Sequence, residues 1–169
     1  MRVVVDDLAF LASDAIVRPA TARLDPTTAA LRRLEQMGGD AFRKRLVLQR
    51  DLPVGAAVVT GAGGDLPAEF VIHAIIQSET EAVSSGGVAR AWRSALERAQ
   101  EWEFARLTAP PIGTGAGNLS LEDAADIMVA ELAVHRVRSA FPTDLALVVE
   151  NDEQREVFEA ALRRATIKP

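Results

Sequence analysis

An α/β fold, built as a three-layer α/β/α sandwich around a mixed, largely parallel sheet, is the architecture this sequence predicts. Three observations carry that expectation. Short apolar or β-branched runs alternate with longer stretches of helical spacing. The runs Phe70 to Ile76 and Arg106 to Pro110 are too continuously apolar for a sheet with one wet face, which makes them interior strands. A chain of 169 residues with 49% apolar and 25% charged content suits a single core, so residues 1–169 are read as one domain.

Val3 to Val5 reads as the first strand, with Asp6 and Asp7 at its end. Asp14-Ala15-Ile16-Val17 reads as a second, buried strand that Arg18-Pro19 stops. Asp25-Pro26 supplies an N-cap acid and a first-turn proline, opening a helix through Leu31, Leu34 and Met37 to Gly38-Gly39. A second helical stretch runs from Asp40 to about Leu48. After the turn Asp51 to Gly55, Ala56 to Thr60 is a strand closed by the glycine loop Gly61 to Gly64. The Phe70 strand carries His73, expected as a core histidine with one satisfied hydrogen bond.

Behind Ser84-Ser85-Gly86-Gly87, the positions Val88, Trp92, Ala95, Leu96 and Ala99 keep helical spacing, and Trp92 is read as core packing. Past the Arg106 strand, Ser120 with Asp123 three residues on caps a helix that shows Leu121, Ala124, Met128 and Leu132 on one face. His135, near its C-terminal end, is expected to be solvated or to complement the helix dipole. Leu145 to Val149 is the last strand, and Asn151 with Gln154 forms a capping box for a final helix with Val157, Phe158, Ala161 and Leu162 inward.

Charge and composition narrow the function. A net charge of −5 argues against non-specific nucleic-acid binding, which needs a basic surface to displace counterions. With no cysteine and only two histidines, thiolate and histidine metal sites are excluded, and no cofactor or metal is expected. No apolar run approaches membrane-spanning length, so no membrane partner and a cytoplasmic location are expected. The distinctive stretch is Pro110-Pro111-Ile112-Gly113-Thr114-Gly115-Ala116-Gly117-Asn118, which follows a strand and precedes a helix. Alternate glycines and the absence of charged side chains leave backbone N–H groups free to wrap an anion, with a helix N-terminus just behind, so this is a candidate phosphate loop. Ligands of open α/β sheets lie across the carboxyl ends of the strands, and Asp7, Gly61 to Gly64, Gly113 to Gly117 and Glu150-Asn151 are all expected at that edge.

With those residues placed, nearly the whole chain resembles the macro domain, the ADP-ribose-binding α/β module. The resemblance rests on Asp7, on Asp14-Ala15-Ile16-Val17, on Gly55 to Thr60 with Leu66-Pro67, on Val71-Ile72-His73-Ala74, and on Pro111 to Gly117. It implies that Asp7 accepts a hydrogen bond from the adenine amine. It also implies that Gly113, Thr114, Gly115 and Ala116 wrap the pyrophosphate, and that the ligand site comprises Asp7, Ile112, Gly113, Thr114, Gly115, Ala116, Gly117 and Asn151. Three departures stand out. The family's Asn-Ala-Ala-Asn segment is here Arg18-Pro19-Ala20-Thr21; its glycine-rich first phosphate loop is Leu24 to Leu31; and no aromatic stands at Glu150-Asn151 to stack on adenine. At the positions matching the second asparagine and the post-loop aspartate of hydrolytic members are Thr21 and Leu31, and Asp25 and Glu35 are the nearest alternative bases.

Three readings follow from the resemblance. In the first, the domain binds ADP-ribose or a related phosphate-bearing nucleotide, free or on an ADP-ribosylated protein, without catalysis and so with no catalytic residue. In the second it is an ADP-ribosyl hydrolase of macro-domain type. In the third it is a scaffold or interaction domain that has lost the nucleotide.

Overall fold

A computed structural model describes residues 1–47, 51–115 and 118–167. The elements in order are β1 (Arg2–Val5), β2 (Ala15–Thr21), α1 (Ala29–Val47), β3 (Ala57–Gly61), β4 (Phe70–Gln77), α2 (Ser85–Glu101), β5 (Arg106–Ala109), α3 (Leu121–Arg138), β6 (Asp144–Val149) and α4 (Asp152–Ile167). The strands form one sheet in the order β1-β6-β5-β2-β4-β3, parallel throughout except for the antiparallel pairing of β3 with β4. Helices α2, α3 and α4 cover one face, and α1 covers the other. The expected three-layer sandwich is therefore the observed one, with β4 and β5 inside the sheet.

Alternation along the strands assigns the two faces. Ala15 and Val17 of β2, with Ile72, Ala74 and Ile76 of β4, pack under α2, α3 and α4. Ile16 packs with Leu31 and Leu34 of α1, and Ala20, Val71 and Ile75 pack with Phe42 and Leu46. Trp92 is fully buried and its indole N–H donates to the Met128 carbonyl at 3.0 Å, tying α2 to α3 as well as filling the core.

Several expectations need correction. β2 does not stop at Arg18-Pro19; it pairs with β4 as far as Thr21. Its pairing with β5 ends at Ile16, so Pro19 lies where the strand has a neighbour on one side only, a position that tolerates a missing N–H. Helix α1 begins at Ala29, not at Pro26: Pro26 is held in an antiparallel bridge to Ala20, and Thr28 receives the Leu31 N–H at 3.4 Å in place of the predicted Asp25 cap. The two helical stretches predicted here meet at Gly39, whose φ of 69° and ψ of −166° break the helix. The expected end of the second stretch at Leu48 lies outside the described residues.

The glycine loop Gly61 to Gly64 belongs to the opposite edge. Because β3 runs antiparallel, Gly61 faces Phe70, the first residue of β4, at the amino ends of the parallel strands. That loop clasps the α1 joint: Asp65 N–H donates to the Met37 carbonyl at 2.9 Å, and a Cβ on Gly64 would lie 2.0 Å from that oxygen. His135 is not solvated: it is 9% exposed, with Nε2 placed 2.7 Å from the Phe141 carbonyl, and it stands in the last turn of α3, where the other expectation, a residue complementing the helix dipole, puts it. At the C-terminal end of the chain, Asn151 receives the Gln154 N–H at 2.9 Å as expected, and Gln154 returns a bond to the Glu150 N–H at 3.0 Å. No helix among the described residues is long and apolar enough to cross a membrane.

Candidate functional site

At the carboxyl edge of the sheet, a cleft of about 820 Å³ opens between two chain segments. One wall is Pro110-Pro111, Gly113 to Gly115, Leu119 and Leu121; the other is Thr27 to Leu31 with Arg33 of α1. Strand residues Pro19 and Val148 lie between them, and Asp6, Asp7, Leu8, Glu150 and Gln154 complete the lining.

The first wall is backbone. Gly113 and Gly115 have φ of 86° and 129°, the left-handed region that favours glycine. Leu119 N–H donates to the Gly113 carbonyl at 2.9 Å and Asn118 N–H to the Gly115 carbonyl at 3.2 Å, which closes the loop on itself. At Gly113 a Cβ would meet Val88 Cγ2 at 2.6 Å, so the loop rests directly on α2. The helix behind it is capped by Ser120, which receives the Asp123 N–H at 3.0 Å; that first turn also carries Glu122 and Asp123.

The second wall begins from a buried arginine. Arg18 lies on the α1 face of β2, fully buried, beside its register partner His73. Its guanidinium donates to the Leu24 carbonyl at 2.7 Å and to Nδ1 of His73 at 3.0 Å, and it is ion-paired with Glu35 of α1 at 2.5 Å. A guanidinium only donates, so Nδ1 of His73 accepts and Nε2–H donates to Thr60 Oγ1 at 2.8 Å. His73 thus has two partners where one was expected, and Phe42 stacks on it at 5.8 Å between ring centroids. One cation therefore fastens β2, the segment at Leu24 and α1 together. Leu24 itself is 1% exposed with φ of 66°. From that anchor the chain reaches the start of α1, whose first turn holds no acidic residue and faces the cleft through Ala29 and Ala30. With Leu31 N–H on Thr28, the Ala29 and Ala30 N–H groups remain at this end, and with no carboxylate in the turn they favour an anion there.

Burial sets the electrostatics of this network. Burial lowers the Arg18 pKa, with Glu35 and Asp25 opposing it, and burial likewise raises the Glu35 carboxyl although the Arg18 charge pulls it down. His73 is held well below its ordinary 6.5, first by burial and then by the Arg18 charge, so it stays neutral. Within the cleft, Asp7 accepts the Ala9 N–H at 2.9 Å through Oδ1 and pairs with Arg33 at 2.5 Å through Oδ2.

Of the residues expected at the site, Asp7, Gly113, Thr114 and Gly115 all line the cleft. Ile112 does not: it is fully buried, with its N–H turned to the Met128 sulfur at 3.4 Å. Asn151 caps α4 and is not among the lining residues, whereas its neighbour Glu150 is. Ala116 and Gly117 lie outside the described residues. Thr21 and Asp25 line a second, neighbouring cleft of about 630 Å³ with Asp51 to Val54 and Gln77 to Glu81. Glu35 is committed to Arg18 and is absent from both linings. Sequence reading missed Arg18, Arg33 and the α1 N-terminus. One signal was present: Glu35 stands four residues after Leu31, on the apolar side of the helix, where a carboxylate needs a buried partner.

Comparison with known proteins bears on this geometry. The macro domain model matches residues 17–128. An uncharacterised protein of Aquifex aeolicus is 34% identical over 95% of this chain and 94% of its own length, and a macro domain-containing protein of Cupriavidus necator is 31% identical over 96% of each. An uncharacterised Mycobacterium tuberculosis protein is 31% identical over 93% of the chain, which spans 43% of that protein. Among solved structures, a mutant macrodomain of Oceanobacillus iheyensis with ADPR superposes with a TM-score of 0.87 at 20% identity, covering 98% of this chain and 93% of that one. A Trypanosoma brucei macrodomain in complex with ADP-ribose gives 0.83 at 16% identity, covering 95% and 68%.

Proposed function

The chain belongs to the macro domain family, and from that premise we propose that its cleft binds ADP-ribose or a related phosphate-bearing nucleotide without hydrolysing it. The observation that carries the proposal is the meeting, in one cleft, of the Asp7 carboxylate, the bare Gly113 to Gly115 backbone and the acid-free start of α1. A pyrophosphate lies between the two walls, taking N–H groups from the glycine loop and from the first turn of α1. The Asp7 carboxylate accepts from the exocyclic amine of the base. Ala116, Gly117 and Asn151 are assigned to ligand binding by resemblance alone, and Ile112 supports the loop from beneath.

Non-catalysis rests on where the alternative bases Asp25 and Glu35, and the residues matching the family's second asparagine and post-loop aspartate, stand. Hydrolysis at a ribose needs a water held and activated at the reacting carbon. Glu35 is occupied by Arg18, Asp25 and Thr21 line the neighbouring cleft, and Leu31 can neither orient nor deprotonate a water. The same site suits ADP-ribose carried on a protein, because the cleft is open at the surface.

Isothermal titration and thermal shift with ADP-ribose test the reading. A ligand at 100 times its dissociation constant adds about 2.7 kcal/mol, a rise in Tm of about 5 to 10 °C for a domain of this size. Gly115→Glu should abolish that rise. Unchanged affinity in the variant would place the site elsewhere. Rapid release of ADP-ribose from a mono-ADP-ribosylated protein in single turnover, lost in Asp25→Asn or Glu35→Gln, would replace binding by hydrolysis.

A further inference from the structure

Arg33 is the only cation among the described residues lining the cleft, where it faces three acids, Asp6, Asp7 and Glu150. Its guanidinium is held on Asp7, the very carboxylate assigned to the base. Both side chains are accessible, 62% for Arg33 and 31% for Asp7, and an ion pair this exposed contributes little net stability. Arg33 also stands one helical turn after Ala29. Helical side chains lean toward the helix N-terminus, so rotation about the side-chain bonds carries the guanidinium from Asp7 toward the first turn of α1 with the backbone in place.

We propose that Arg33 determines the ligand specificity of the cleft by exchanging partners. On binding, its guanidinium leaves Asp7 for the ligand phosphate, and the carboxylate so released accepts from the amine of the base. This rests on the nucleotide reading and sharpens it: the favoured ligand joins an amine-bearing base to a phosphate, since only such a molecule satisfies both halves of the broken pair. A nucleoside alone must displace Arg33 and leaves it without a partner. Pyrophosphate alone removes Arg33 and leaves a bare carboxylate beside an anion. Asp6 and Glu150, the other charges of the lining, oppose phosphate and so make the Arg33 charge necessary.

Titration of the wild type, Arg33→Met and Asp7→Asn with ADP, adenosine and inorganic pyrophosphate tests the exchange. Arg33→Met should weaken ADP at least tenfold yet tighten adenosine, because the carboxylate is no longer masked. Asp7→Asn should weaken ADP and adenosine yet tighten pyrophosphate, because the guanidinium is free. A fold defect cannot produce these opposite signs in one variant. Arg33→Met shifting ADP and adenosine in the same direction, or adenosine failing to bind that variant, overturns the exchange while the nucleotide reading survives. Wild-type protein that binds neither ADP nor ADP-ribose overturns both.

Discussion

The Gly113 to Gly115 wall of the cleft is shaped by what its residues lack, whereas the Thr27 to Leu31 wall opposite is held by Arg18, a side chain that never reaches the cleft surface. On the first side, removing Cβ atoms lets the backbone at Gly113 rest directly on α2. On the second, a buried charge fastens three segments from behind and the surface residues are ordinary. The difference teaches that a binding surface can be specified either at the surface or one layer beneath it. Only the first kind can be read from the residues that make contact.

The largest expected effect falls on the second wall. Glu35→Gln strips the counterion from a guanidinium that stays charged and buried, and should cost about 3 kcal/mol, more than Arg18→Met, which removes the charge needing neutralisation. Urea denaturation at pH 7 measures both. If Arg18→Met is the costlier, its hydrogen bonds to Leu24 and His73 outweigh its ion pair, and the wall is held by geometry instead of charge.

Next comes the first wall. Gly113→Ala should cost about 2 kcal/mol, from the positive φ and from the overlap with Val88. Gly115→Ala should cost clearly less, because a Cβ there meets nothing nearer than Asn118 Nδ2 at 3.6 Å. Equal losses in thermal melts would mean that strain alone, not packing on α2, fixes the loop.

The smallest effect is a slope. His73 has its folded pKa lowered well below 6.5, so the stability it contributes is full above pH 6.5 and is lost as pH falls from there, by about 1.4 kcal/mol per pH unit, until the folded pKa is reached. Denaturation midpoints between pH 6.5 and 5.5 should fall for the wild type and flatten for His73→Gln. A slope that persists in the variant would assign it to another group.

What could be read in advance follows the same division. The glycine spacing, the Ser120 cap and the continuous run of β4 are local, and all three elements appear where the sequence puts them. Arg18-Pro19 misled because a proline stops a strand only where its missing N–H is needed, and β2 at Pro19 has β4 alone as its neighbour. The side-chain partners of Arg18, Glu35 and His73, lie 17 and 55 residues away. Gly61 to Gly64 misled through topology: nothing in the run Ala56 to Thr60 says which way β3 points, and its direction sends the loop to the far edge. Arg33 was invisible as an exposed helical arginine until the fold set it against Asp7.

The joint at Gly39 has a mechanical consequence. It divides α1 into a proximal arm, anchored through Leu31 and Leu34 beside Leu8 and Val148, and a distal arm, anchored through Phe42 and Leu46 beside Val71 and Ile75. The proximal arm carries Arg33, Glu35 and the cleft wall. The clasp from Asp65 to Met37 grips the helix at the pivot. The distal arm has its own seat on β4, so each arm of α1 is packed against a different part of the sheet.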